Sequence, residues 1–157
     1  MNDIKYKLKG NIRHTSIRKK TASRICSIQV LYSTSFLNCE IDSAINSYVD
    51  NYLPSILRQL DLKKMDFDLF DNIVKGVCKN VKKIDEIISN NLLVSWSVDR
   101  LSETEKSVLR SAVYELLFER KFKKITIINE YISIIGAFGG SPDFANGILE
   151  NISKEIK

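Results

Sequence analysis

The chain has 157 residues, enough for one ordinary domain or two small halves, and its 44% hydrophobic content excludes global disorder. No apolar run approaches the roughly 18 residues of a membrane span, and the basic N-terminus lacks the apolar core of a secretory signal, so a cytoplasmic protein is expected. The net charge of +5 is unevenly placed: residues 1–24 carry eight basic residues against Asp3 alone, net +7, while the rest carries 16 basic and 18 acidic residues, net −2.

Residues 1–15 hold Lys5, Lys7, Lys9, Arg13 and the only histidine, His14, among isolated apolar side chains, and read as a flexible basic arm. From Ser16 the pattern turns helical, with Ala22, Ile25, Cys26, Gln29, Val30 and Phe36 at three- and four-residue steps. Lys20 and Arg24 lie four apart and are expected to share one exposed face, with Arg18 and Lys19 in or before the first turn. Positive charge there opposes the helix dipole, a local penalty that an anionic partner would relieve. Asp42 is expected to cap a second helix through Ala44, Ile45, Tyr48, Val49, Tyr52 and Leu53, with Pro54 as its late kink or stop. A third begins near Asp66 and keeps Phe67, Phe70, Ile73, Val74, Val77, Cys78 and Val81 in register, Gly76 marking a close helix contact. Ile84 to Leu92 form a shorter fourth element.

Residues 93–101 make a connector containing the only tryptophan, Trp96. Ser102 and Glu105 then have the spacing of a capping box, with each side chain set to satisfy the other's free N–H, ahead of Val108, Leu109, Ala112, Val113, Leu116 and Leu117. From Ile125 to Phe138 the sequence is apolar on nearly every side and predicts a buried central helix. Gly139 and Gly140 end it, and Ser141 as N-cap with Pro142 at the first position opens a last helix carrying Phe144, Ala145, Ile148, Leu149 and Ile152. No segment alternates with a period of two. The expected fold is all-α, about seven helices in two packed subdomains, residues 16–90 and 91–157.

Chemistry is thin. His14 in the arm leaves no histidine-rich metal site and no anchored base for a nucleophile. Gly136, Gly139 and Gly140 suit a helix C-terminus better than a phosphate loop, and Asp99, Glu103 and Glu105 read as caps and a solvated face. Cys26, Cys39 and Cys78 form no CxxC pair; they are expected to be reduced thiols, Cys26 and Cys78 as small core residues. Asn129, Glu130 and Asn146 read first as hydrogen-bonding ties between helices. No catalytic residue, metal or cofactor is therefore expected, and the +7 segment points to a polyanionic partner.

Three stretches in order resemble the NusB family of bacterial transcription antitermination factors. The first is Arg18-Lys19-Lys20-Thr21-Ala22-Ser23-Arg24 running into Gln29-Val30-Leu31-Tyr32. The second runs from Trp96 through Asp99-Arg100-Leu101 to Leu109-Arg110-Ser111-Ala112-Val113-Tyr114-Glu115-Leu116. The third joins Ile127-Ile128-Asn129-Glu130, Phe138-Gly139 and Ser141-Pro142-Asp143-Phe144-Ala145-Asn146-Gly147-Ile148-Leu149. The resemblance covers roughly residues 16–152.

It implies a fold of two helical subdomains and binding of the boxA element, a single-stranded RNA of ribosomal RNA leaders. It also implies partnership with the ribosomal protein NusE and loading onto the RNA polymerase antitermination complex. By position match, Arg18, Lys19, Lys20, Arg24 and Phe144 would meet RNA, and Tyr32 and Glu105 would meet NusE. The sequence departs from the family where Thr21 and Ala22 replace frequent arginines, and in a shorter loop before Phe144. A monomer and a homodimer both fit. The alternative reading is an RNA-binding module or protein adaptor associated with ribosomal RNA modification, since a NusB-like domain also precedes some ribosomal RNA cytosine methyltransferases. No Rossmann-type segment precedes Lys157, so a free-standing factor is the expectation.

Overall fold

A computed structural model describes residues 15–35 and 40–156, and among these it contains seven α-helices and no strand. The expected arm falls largely on residues 1–14, and Phe36 and Cys39 on residues 36–39, outside the described residues. The helices are α1 (Thr15–Thr34), α2 (Ile41–Asn51), α3 (Leu53–Gln59), α4 (Phe67–Asn90), α5 (Glu103–Phe118), α6 (Lys124–Ala137) and α7 (Pro142–Glu155). Two compact units divide the chain, Met1–Lys75 and Gly76–Lys157, with the boundary inside α4.

In the first unit α1 is enclosed: every residue from 21 to 28 is buried. Its small polar side chains allow this because each finds a carbonyl. Ser27 Oγ donates to Ser23 O at 2.7 Å, and Ser23 Oγ reaches the carbonyl of Asp66. A buried hydroxyl so satisfied avoids the 1–3 kcal/mol (order of magnitude) that an unpaired one would cost. Tyr48, from α2, stacks on Phe70 with ring centroids 6.1 Å apart and donates its hydroxyl proton to Gln29. Asp66 caps α4, its Oδ1 accepting from Leu69 N at 3.1 Å.

Three local expectations are corrected here. The N-cap of α2 is Glu40, without a side-chain cap bond, and Asp42 lies in the first turn, where its carboxylate is 3.7 Å from Lys75 Nζ. Pro54 neither kinks nor ends a helix. It opens a separate one, α3, because a proline in the first turn gives up only an N–H that has no intrahelical partner. Conversely, the segments expected as a third and a fourth helix are one helix, α4. Its only interruption is non-helical backbone at Asn80 (φ −115°, ψ 16°), whose side chain donates to Gly76 O at 2.8 Å.

In the second unit the Ser102–Glu105 capping box is formed in full: Ser102 Oγ accepts from Glu105 N at 3.1 Å, and Glu105 Oε2 accepts from Ser102 N at 2.9 Å. Arg110 grips Asp85 through two parallel bonds of 2.8 Å, tying α5 to α4. The buried carboxylate of Glu115 accepts from the hydroxyl of Tyr131 at 2.5 Å. Gly139, at φ +83°, takes the left-handed conformation that closes α6, and Ser141 Oγ accepts from Phe144 N at 3.3 Å to open α7 with Pro142 in its first turn. Helix α6 buries Ile127, Ile128, Tyr131, Ile134 and Ile135, but Ile125 is 57% exposed and Asn129 is exposed, so it is not buried all round and Asn129 cannot tie buried helices. Cys26 is fully buried as expected. Cys78 is exposed, because its position on α4 turns away from the buried Ile73, Val74 and Val77.

Candidate nucleic-acid interface

The basic cluster begins in the first turn of α1, where Thr15, Ser16 and Ile17 are exposed. Arg18, Lys19 and Lys20 follow, all half-buried. Arg18 has a structural role, since its guanidinium donates to the carbonyls of Leu60 and of Asp61, the latter at 2.9 Å. These carbonyls lie just past the end of α3, where Asp61 sits at φ +56°. The arginine thus closes the terminus of a short helix, whose last carbonyls lack partners of their own.

Arg24 departs most from expectation. It is 2% exposed and lies within the enclosed stretch of α1. Four-residue spacing does put it in line with Lys20, but past Lys20 the helix is covered on every side, so no exposed face exists for the pair to share. Of the four cations, Arg18, Lys19 and Lys20 keep partial exposure and Arg24 is enclosed; Arg18 is in addition engaged at a helix end.

Tyr32 stands near the C-terminal end of α1 and is 43% exposed. Glu105 is half-buried in the first turn of α5, its carboxylate already engaged by the N–H of Ser102. Phe144 is half-buried in the first turn of α7, and the neighbouring Asp143 is exposed. A helix start directs N–H groups outward, the local polarity that receives anions.

Sequence reasoning missed two features. The connector before α5 carries three large apolar side chains in solvent, Leu93 (75%), Val94 (107%) and Trp96 (47%). Only the tryptophan was singled out by sequence; a Leu-Val pair beside it was the available signal. Arg18's capping role had no signal, since Leu60 and Asp61 are more than forty residues away.

The comparisons with known proteins agree with one another. Residues 21–154 match the model of the NusB family. The transcription antitermination protein NusB of Clostridium botulinum is 33% identical over 135 residues, covering 85% of this chain and 96% of its own length. That of Sphingopyxis alaskensis is 29% identical over 142 residues, 89% of this chain and 95% of its own. Among solved structures, NusB of T. maritima is similar at 30% identity with a TM-score of 0.66, covering 87% of this chain and 92% of that one. A structure of the antitermination factors NusB and NusE with double-stranded RNA shares the fold at 21% identity, with a TM-score of 0.69 and coverage of 88% and 98%.

Proposed function

The chain belongs to the NusB family and is a transcription antitermination factor, and we propose that it binds boxA-type single-stranded RNA of ribosomal RNA leaders together with the ribosomal protein NusE. The observation that carries this reading is the family match across residues 21–154 in a chain whose first 24 residues hold a net charge of +7. In this reading the factor is cytoplasmic, works by binding rather than catalysis, and acts within the RNA polymerase antitermination complex.

Lys19 and Lys20 supply phosphate contacts, as compact charges on flexible stems rather than as bidentate forks. Arg18 holds the end of α3 and so fixes the turn that presents them. Arg24 makes no direct contact in this reading, because a side chain 2% exposed cannot reach a phosphate without its surroundings moving. Phe144, at the start of α7, offers an aromatic ring on which a splayed base can stack, one of the ways single-stranded RNA is recognised. Tyr32 and Glu105 face NusE, the first through its exposed ring, the second through a carboxylate that keeps its place in the capping box.

The test is a titration of boxA RNA at two salt concentrations, with and without NusE, using the wild type and Lys19→Ala/Lys20→Ala. Each phosphate contact on a single strand adds about −0.7 to the slope of log affinity against log salt, so losing two should flatten it by about 1.4. Unchanged affinity of the double variant at low salt would remove this face from the RNA site.

A further inference from the structure

A cleft of about 530 Å³ lies in the second unit, among the C-terminal part of α4, the C-terminal end of α5 and the end of α7. Half-buried Ile87, Leu117 and Ile156 give it an apolar lining, joined by Phe118, which is 41% exposed. Its charged lining is Lys83, Arg120 and Glu155. Nothing in the RNA or NusE reading uses any of these residues.

Side-chain bonds fix the end of α7, which supplies one wall of the cleft. Lys124 donates its ammonium protons to the carbonyls of Ser153, at 3.1 Å, and of Ile156, closing the C-terminus of α7. Asn91 Nδ2 donates to Glu155 Oε2 at 3.3 Å, so this carboxylate is partly engaged. Lys83 Nζ stands 5.5 Å from the centre of the Phe118 ring, and Tyr114 packs at 5.3 Å on it. The sequence flanking the lining residues is mostly basic, with Lys79, Lys82, Lys121 and Lys123 exposed against an exposed Glu86. Of the nearby acids, Glu119 accepts from the backbone N–H of Lys121.

We propose that this cleft is a docking site for an acidic amphipathic segment of a protein partner, with an apolar side chain seated on Ile87, Leu117 and Ile156 and carboxylates meeting Lys83 and Arg120. Charge complementarity selects the occupant. The apolar lining suits an aliphatic or aromatic anchor, as in helix-in-groove recognition, and the cations flanking it suit acidic residues at neighbouring positions. RNA fits less well. The Phe118 ring already has Lys83 and Tyr114 against it, and the aliphatic side chains of Ile87, Leu117 and Ile156 give a splayed base no aromatic surface to stack on, whereas they suit an apolar anchor. The site stands independently of the RNA-binding reading.

The test uses the full chain and a fluorescein-labelled 16-residue helical peptide, with leucines at three- and four-residue spacing and glutamates between them. The controls are the same composition in shuffled order and a 12-nucleotide oligouridine. Fluorescence anisotropy should show the amphipathic peptide binding at least tenfold more tightly than the shuffled one. Lys83→Glu/Arg120→Glu, with an unchanged circular dichroism spectrum, should weaken that binding at least tenfold and leave boxA RNA affinity unchanged. Amide shifts on peptide addition should concentrate at Lys83, Ile87, Leu117 and Arg120. Equal binding of the two peptides, an unaffected charge-reversed variant, or a loss of oligouridine binding in that variant instead would each overturn the proposal.

Discussion

The ring of Tyr114 occupies the space that a side chain at Gly76 would need: a Cβ built on Gly76 would stand 2.1 Å from Cε2 of the tyrosine. Helix α4 can approach α5 this closely only because residue 76 has no side chain. Gly76→Ala should therefore destabilise the protein by about 1–3 kcal/mol through overpacking, against its small gain in helix propensity. Urea unfolding of Gly76→Ala, Tyr114→Ala and the double variant provides the check. The double variant should recover part of the loss, and strictly additive losses would show that the two positions do not meet.

Arg24 and Lys19 should separate stability from binding. Arg24→Ala removes a large, fully buried side chain and leaves its surroundings unfilled, and should lower stability by about 2–5 kcal/mol. Lys19→Ala, at a half-buried position, should change stability by no more than about 0.5 kcal/mol. Chemical denaturation measures both, and boxA RNA affinity should follow the opposite order once each variant is confirmed folded. Comparable stability of Arg24→Ala and the wild type would show that its burial contributes nothing.

Glu105 has two proposed roles that one substitution can split. Ser102→Ala breaks the capping box and should lower stability by about 1 kcal/mol. Glu105→Gln keeps an oxygen to accept from Ser102 N, so it should leave the melting temperature nearly unchanged while removing a charge from the surface proposed to meet NusE. A calorimetric titration with NusE should then show weaker binding for Glu105→Gln. Retained affinity would restrict Glu105 to its role at the helix start.

Burial pushes the Cys26 thiol from 9.0 up to about 11, an effect only partly offset by its hydrogen bond with Tyr48. Burial also raises Tyr48 above its ordinary 10.0, so the folded chain keeps that phenol protonated and Tyr48 adds to the same decline above pH 10. Below pH 9 the Cys26 thiol is protonated in the folded and the unfolded chain alike. Between pH 9 and about 11 the unfolded chain loses that proton while the folded one keeps it. Stability should thus fall with rising pH by about 2–3 kcal/mol across the window. Cys26→Ala should flatten the decline in the urea midpoint between pH 8 and 10.5. At pH 8 a thiol reagent should label the exposed Cys78 well before Cys26, as peptide mapping would reveal.

Much of the helix plan was legible because its signals are local. Ser102 with Glu105, and Ser141 with Pro142, mark helix starts through bonds made within a single turn. The misplacements at Pro54 and near residue 80 were also local ambiguities. Pro54 is compatible with an ending or with a beginning, and the break in period near residue 80 suits either two helices or one with a kink.

What the sequence by itself determined was the helical class, the start of α5, α7 and the long α4, the tight approach at Gly76, and the family through residues kept in order along the chain. Each of these depends on neighbours a few positions away or on residue identity alone. Only the tertiary structure decided which side chains reach solvent. Arg24 is enclosed, Arg18 is engaged with carbonyls at residues 60 and 61, Cys78 is exposed, and Lys83, Phe118 and Arg120 come together around one cleft. A helical period states which residues share a face. Whether that face meets water or another helix depends on segments distant in sequence, whose placement no local pattern encodes.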